Sequence, residues 1–223
     1  MIILNSKCTI LQECVLQPGN HAFDTLTIQS GGKLLLKGDV DRTRKTTIQA
    51  QTIVIHPGGE IKAEANGYYT DGPGSGGSSG YGGSFGGKGG KVTESSYLYG
   101  DILHPLDYGS AGYGATSVSG GLGGSQIEIR VSDVLQNDGL IDVSGKGGVS
   151  STQGGGSGGS IYVEAGSVRG FGQFLAKGGT SKVGGGGGGR VAFSTLDNID
   201  ETFNGLISVN GGHGDGQSGG SGE

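Results

Sequence analysis

The 223-residue chain contains no tryptophan, one methionine, four prolines and two cysteines. So little proline excludes a collagen-type triple helix, which needs proline or hydroxyproline beside its periodic glycine. No apolar run approaches 18 residues, so the sequence contains no candidate membrane span. With 15 basic against 20 acidic residues and a formal charge of -5, it has no excess of cation to neutralise phosphates, which argues against a nucleic-acid partner. Apolar residues at i, i+3, i+4 and i+7 are missing from every window of useful length, so helix is not expected and the fold class reads as all-β. The stretch from Thr195 to Phe203, with its acidic start, reads as a polar loop. The opening residues MIILNSKCTILQECV carry neither a basic n-region nor a small-residue cleavage site. An exported chain with such a start would be a piece of something larger or would have lost its signal.

What the sequence has in abundance is glycine, 54 residues of it. Ordering a glycine costs more backbone entropy than ordering any other residue, so a fold that uses so many must gain from close backbone contact. In GGGSGGSIYVEAGSVRGFGQFLAKGGTSKVGGGGGGRVAF, residues 154 to 193, glycine blocks bracket short alternating segments. Alternation puts Ile161, Val163 and Ala165 on one strand face and Phe174 and Ala176 on another, with Ser160, Tyr162, Glu164, Gln173 and Lys177 pointing outward. Such a unit cannot bury its apolar face alone and needs copies stacked above and below it.

The copies are present. TLTIQSGGKLLL from Thr25 returns 27 residues later as TIVIHPGGEIKA, matching Leu26 to Ile53, Ile28 to Ile55 and Leu34 to Ile61 around a Gly-Gly turn. Further on, a 33-residue step sets Ile141, Phe174 and Ile207 in one column and Val143, Ala176 and Val209 in the next. A second set, Ile127/Ile129, Ile161/Val163 and Val191/Phe193, recurs at 34 and 30 residues. We expect a single elongated parallel β-helix, or β-solenoid, over residues 1–223, with Ile141, Phe174 and Ile207 stacked inward.

A segment of different character, at about residues 67–124, interrupts the repeats. It holds seven of the eight tyrosines, Tyr68, Tyr69, Tyr81, Tyr97, Tyr99, Tyr108 and Tyr113. Glycine falls at 74, 77, 80, 83, 86 and 89, the three-residue period of polyglycine II, a form with no internal hydrogen bonds that is stable only in bundles. On that reading Tyr81 and Phe85 project outward. Tyr68, Tyr69, Tyr81, Phe85, Tyr97, Tyr99, Tyr108 and Tyr113 are therefore the candidate binding residues for a surface glycan or protein, because tyrosine offers rigid amphipathic area. The alternative for each ring is that it covers glycine strands too thin to form a core.

The elements GYYTDGPGSGG, YGDILHPLDYGSAGYG and the glycine-bracketed coil resemble the glycine-rich β-solenoid modules of large cell-surface and extracellular proteins. The resemblance covers roughly residues 23 to 212, and GSAGYGATSVSGG departs from it by interrupting the glycines. It implies a right-handed parallel β-helix in an extracellular, adhesive or matrix-forming chain and implies no chemistry. The glycine period is also similar to that of polyglycine-II adhesins of phage tail fibres and of a glycine-rich insect antifreeze protein.

Parallel β-helices also host polysaccharide lyases and hydrolases, and hydrolysis needs two carboxylates about 5 to 10 Å apart. Aligning the strands sets Glu128 beside Tyr162, Glu164 beside Arg130 and Asp142 beside Leu175, so no acid meets another. The cluster Asp39, Asp41, Arg42, Arg44 and Lys45 could serve a Ca²⁺-dependent lyase but reads better as a solvated turn. His21, His56, His104 and His213 lack metal-ligand spacing. No catalytic residue, metal site or cofactor is assigned. Cys8 and Cys14, six apart, are the candidate disulfide in an oxidising compartment, with two small thiols as the alternative. The functional expectation is a non-catalytic structural or adhesive module of the cell surface or extracellular space; a carbohydrate-active enzyme and an ice- or receptor-binding bundle are the rivals.

Overall fold

The computed structural model describes residues 7–39, 41–63, 65–70, 72–75, 77–91, 97–114, 120–196 and 199–223. The chain is all-β with two parallel sheets. Strands β1 (Lys7–Ile10), β3 (Gly19–Ala22), β4 (Thr25–Ile28), β6 (Thr46–Ile55), β8 (Gln126–Asn137), β10 (Ser160–Arg169) and β12 (Arg190–Thr195) form one sheet. The other contains β2 (Glu13–Leu16), β5 (Lys33–Leu36), β7 (Glu60–Lys62), β9 (Leu140–Asp142), β11 (Gln173–Leu175) and β13 (Leu206–Ser208). From β4 onward the chain alternates strictly between the two sheets, an arrangement compatible with a β-solenoid.

Register follows the sequence columns. Leu26 lies beside Ile53 and Leu34 beside Ile61, reproducing the 27-residue echo. Phe174 lies between Ile141 and Ile207, and Ile161 between Ile127 and Val191. Alternation then feeds one core shared by both sheets, in which Leu26, Ile53, Ile127 and Ile161 meet Leu34, Ile61, Ile141 and Phe174. Phe174 is fully buried and meets Phe193 and Phe203 edge-on at 5.1 and 5.2 Å. Ile207 departs from the expected inward stacking: it lies in the outermost described strand of its sheet and is 43% exposed. Within the stretch read as a loop, Ile199–Thr202 forms a short helical turn, α1, and Phe203 beside it enters the core.

Ser160 is buried rather than outward and wet, because its hydroxyl donates to the Asp107 carbonyl at 2.6 Å from a segment lying over the sheet. Cys8 and Cys14 are free thiols, not the expected disulfide; they lie in different sheets and are packed as partly buried apolar groups at the core edge. Burial, and secondarily the neighbouring Cys14, raises the Cys8 pKa.

Beside the sheets the glycine segments lie against one another. Along 154–159 the direction of donation turns through three neighbours. Gly154 and Ser157 donate to Tyr113 and Ser110, Gly155 and Gly158 to Gly184 and Gly187, and Gly156 and Gly159 to Lys146 and Val143. The segment 185–189 repeats the pattern, with Gly185 and Gly188 on Gln217 and Gly220, Gly186 and Gly189 on Gly179 and Ala176, and Gly187 on Gly83. Segments so close leave no room for a side chain at the glycines: a Cβ on Gly155 would lie 2.0 Å from the Gly179 oxygen and one on Gly188 1.8 Å from that of Val209. The six-glycine register from Gly74 to Gly89 does not continue as one such strand. Gly77 and Gly80 have φ of 68° and 79°, left-handed turn values, and Gly82 donates to Gly90 across a reversal.

Phe174→Ala should cost about 3 to 5 kcal/mol of unfolding free energy, because it empties a site that three aromatic rings fill. Ile207→Ala at the open edge should cost much less. Urea denaturation of both variants checks the ordering, and equal losses would contradict the edge position of Ile207.

Candidate binding surface

The Tyr-rich lobe docks on the first sheet and on the turn that follows β5. Asp39 builds that turn: its carboxylate accepts from the N–H and hydroxyl of Thr43, from the Arg44 N–H at 2.9 Å and from the Arg44 guanidinium at 3.0 and 3.1 Å. The Arg44 backbone bond, with Thr43 and the Arg44 side chain behind it, holds its pKa down to about 2. The carboxylate considered for a Ca²⁺-dependent lyase is thus spent on its own loop. Asp41, Arg44 and Lys45 are exposed, as a solvated turn requires. Among the described residues no three His, Cys, Asp or Glu side chains gather in a group able to hold a metal.

The candidate rings divide into two sets. Tyr108 is buried and its hydroxyl donates to the Arg44 carbonyl at 2.8 Å, while the Arg42 guanidinium sits 6.0 Å from both the Tyr68 and Tyr108 rings. Tyr99 donates to the Tyr108 carbonyl at 2.6 Å and shares a hydrogen bond with Ser110 Oγ. Burial pushes the pKa of both phenols up, most strongly for Tyr99. Phe85, expected to project outward, is fully buried, 4.8 Å from the Tyr99 ring and 5.0 Å beneath the Arg190 guanidinium. Arg190 is buried too and is held by Glu223 at 2.9 Å and by the Tyr99 carbonyl. The reversal at 82–90 turns Phe85 inward. Tyr81 and Tyr113 are half-buried and linked through their backbones.

Only Tyr69 and Tyr97 stand free, at 61% and 67% exposure. Tyr69 lines a surface cleft of about 480 Å³ with Gly38, Arg42, Asn66 and Leu122. The sequence reading passed over three exposed aliphatic residues that follow Tyr97 in the chain, Leu98, Ile102 and Leu103, the last at 83%. Their signal was available in YGDILHP, where an aliphatic pair stands between a turn-forming Asp and a Pro. Asp101 Oδ1 accepts the N–H groups of Leu103 at 2.7 Å and His104 at 3.0 Å, which lowers the Asp101 pKa. His104 lies 3.4 Å from Glu128 Oε1, and its ring packs edge-on against Tyr162 at 4.1 Å. The apolar tip therefore projects from a fixed base.

Glu128 is buried and fully engaged, accepting from Thr47 Oγ1 at 2.8 Å and from the Arg130 guanidinium at 2.8 and 3.0 Å. Its burial opposes ionisation, and these donors outweigh that, leaving its pKa lowered. Arg130 also reaches the exposed Glu164 across the strands at 3.8 Å. The cross-strand pair is therefore present, but it is the longer of the contacts this arginine makes and is secondary to Glu128.

The fold and surface define an all-β chain with two parallel sheets, a glycine-packed flank and an anchored apolar tip. The chain matches no protein-family model, no curated protein and no solved structure. No described helix is long and apolar enough to cross a membrane.

The Asp39 carboxyl is held below its ordinary value of 3.8, so its bonds contribute stability that is present above about pH 4 and lost as pH falls through about 2. Asp39→Asn should be less stable than the parent at neutral pH and should show a shallower loss of stability over that acid range. Urea midpoints at pH 7 and near pH 2 measure this; parallel pH profiles in parent and variant would contradict the assignment.

Proposed function

We propose that this chain is a non-catalytic β-solenoid module of the cell surface or extracellular space, structural or adhesive in role, with its flank built from polyglycine-II strands. The three-way donation along 154–159 supports the last element, since a three-residue turn with all bonds made to neighbours is what that form requires. The repeated parallel pairing supports a stiff rod that carries the Tyr-rich lobe on one side.

One observation carries the adhesive reading: Leu103 and Ile102 stand 83% and 55% exposed on a turn whose base is fixed by Asp101 and His104. Aliphatic side chains held out in water gain by being covered, and those on a rigid turn lose little entropy on binding. Aliphatic groups suit a protein surface, and the exposed Tyr97 of the same segment offers an amphipathic ring. Two acids beside this tip are engaged, Glu128 by Arg130 and Thr47 and Asp101 by its own turn, which supports recognition over acid–base chemistry.

The double variant Ile102→Ser/Leu103→Ser should leave the thermal midpoint close to that of the parent and sharply reduce adhesion of chain-coated beads to immobilised matrix proteins. Adhesion at the parental level would refute the assignment. Loss of adhesion to glycan-coated surfaces on Tyr69→Ser alone would move the contact to the cleft beside Arg42.

A further inference from the structure

On the outer face of the first sheet the outward residues form two adjacent rows. In one, Thr47, Glu128 and Tyr162 lie side by side, with His104 of the lobe 3.4 Å from Glu128 and packed on the Tyr162 ring. In the next, two residues further along each strand, Gln49, Arg130, Glu164 and Ser194 follow one another across β6, β8, β10 and β12, Gln49 half-buried and the others exposed. Just beyond this row β8 carries one extra residue. Ala50 and Ala165 both lie beside Val131, and Thr52 and Ser167 both lie beside Val134, so Ser132 and Asp133 form a bulge between them.

The bulge borders a groove. Two depressions of about 270 Å³ each share Val131, Ser132 and Glu164; one runs on to Gln49 and Arg130, the other to Gly166 and Ser194. Together they cross the strands in the stacking direction. Gly166 adds no side chain to the groove, and a Cβ there would lie 2.5 Å from the Asp133 carbonyl oxygen. Much of the polar lining is unused: the Gln49 amide and the Ser132 and Ser194 hydroxyls have no hydrogen-bond partner among the described residues, and Glu164 meets only Arg130, at 3.8 Å. Glu128 anchors Arg130 at 2.8 Å and so fixes the guanidinium beside the groove.

We propose that this groove binds a neutral linear glycan lying along the stacking direction, at a site separate from the adhesive tip. Successive sugar rings then meet successive strands, which parallel pairing sets about 4.8 Å apart. The amide, hydroxyls, carboxylate and guanidinium offer both donors and acceptors, which sugar hydroxyls, being both, can match. Acidic glycans are disfavoured because the carboxylates of Glu128, Asp133 and Glu164 outnumber the Arg130 charge. A peptide is disfavoured as well. One recognised through its main chain needs a free sheet edge, whereas β8 and β10 are paired on both sides. The apolar residues nearest the groove, Ala50, Val131 and Ala165, belong to the core, so an aliphatic side chain of a peptide finds no anchor.

An array of linear glucans, mannans, xylans and galactans, with uronate- and sulfate-bearing glycans beside them, probed with the fluorescently labelled intact chain, tests this. Saturable binding to a neutral glycan is expected, and Gln49→Ala/Glu164→Ala should weaken it at least about tenfold by removing an amide and a charged acceptor. Both side chains lie on the wet face, so this variant should keep its thermal midpoint. Ile102→Ser/Leu103→Ser and Tyr69→Ser should bind the glycan as the parent does, which separates the groove from the tip and from the cleft beside Arg42. Absence of binding to every neutral glycan would overturn the proposal, as would binding confined to the acidic ones or parental binding by Gln49→Ala/Glu164→Ala. Glu164-dependent capture of a pentalysine peptide with no glycan bound would also overturn it by making a basic peptide the occupant.

Discussion

The structure depends on backbone amides that find partners in neighbouring segments at a separation no side chain permits. A glycine segment has nothing to bury, so its ordering must be offset by hydrogen bonds and close contact among main chains. Along 154–159 every N–H has a carbonyl, in three directions, and the contacts are so short that an added Cβ would strike an oxygen of the adjoining segment. The glycines are therefore a steric requirement at each layer. The sheets supply the register: Ile161 beside Ile127 and Val191 fixes the height at which 154–159 meets its neighbours.

The lobe follows from the same constraint. A glycine bundle has no apolar side chains with which to close its outer face, so aromatic rings are brought in from the intervening segment. Phe85 fills the space below Arg190, and Tyr99 and Tyr108 turn their hydroxyls to carbonyls. A ring used in this way is unavailable to a partner. Exposure falls instead on Tyr69, on Tyr97 and on the aliphatic tip held out by Asp101 and His104.

How far the sequence could be read depended on whether the determining contact was periodic. The 27-residue echo and the Ile141, Phe174, Ile207 column were legible because strand alternation and parallel stacking both leave fixed intervals. Local reasoning failed where a distant segment decided the outcome. Ser160 is polar and alternates outward, yet Asp107, 53 residues away, covers it. Phe85 falls between the positions of a three-residue glycine register that the left-handed turns at Gly77 and Gly80 break. Cys8 and Cys14 are close in sequence but belong to different sheets and remain thiols. Leu98, Ile102 and Leu103 escaped notice because aliphatic residues near a glycine block look like core until the turn that exposes them is known.

Residue-resolved amide hydrogen exchange across Gly154–Gly159 and Gly185–Gly189 tests the central claim most directly. If main-chain bonds in three directions hold these segments, every amide in both should be protected to a degree comparable with the β8 and β10 strand amides, despite the absence of apolar side chains. Exchange of these amides at the rate of an unstructured glycine chain, with β8 and β10 still protected, would contradict the account.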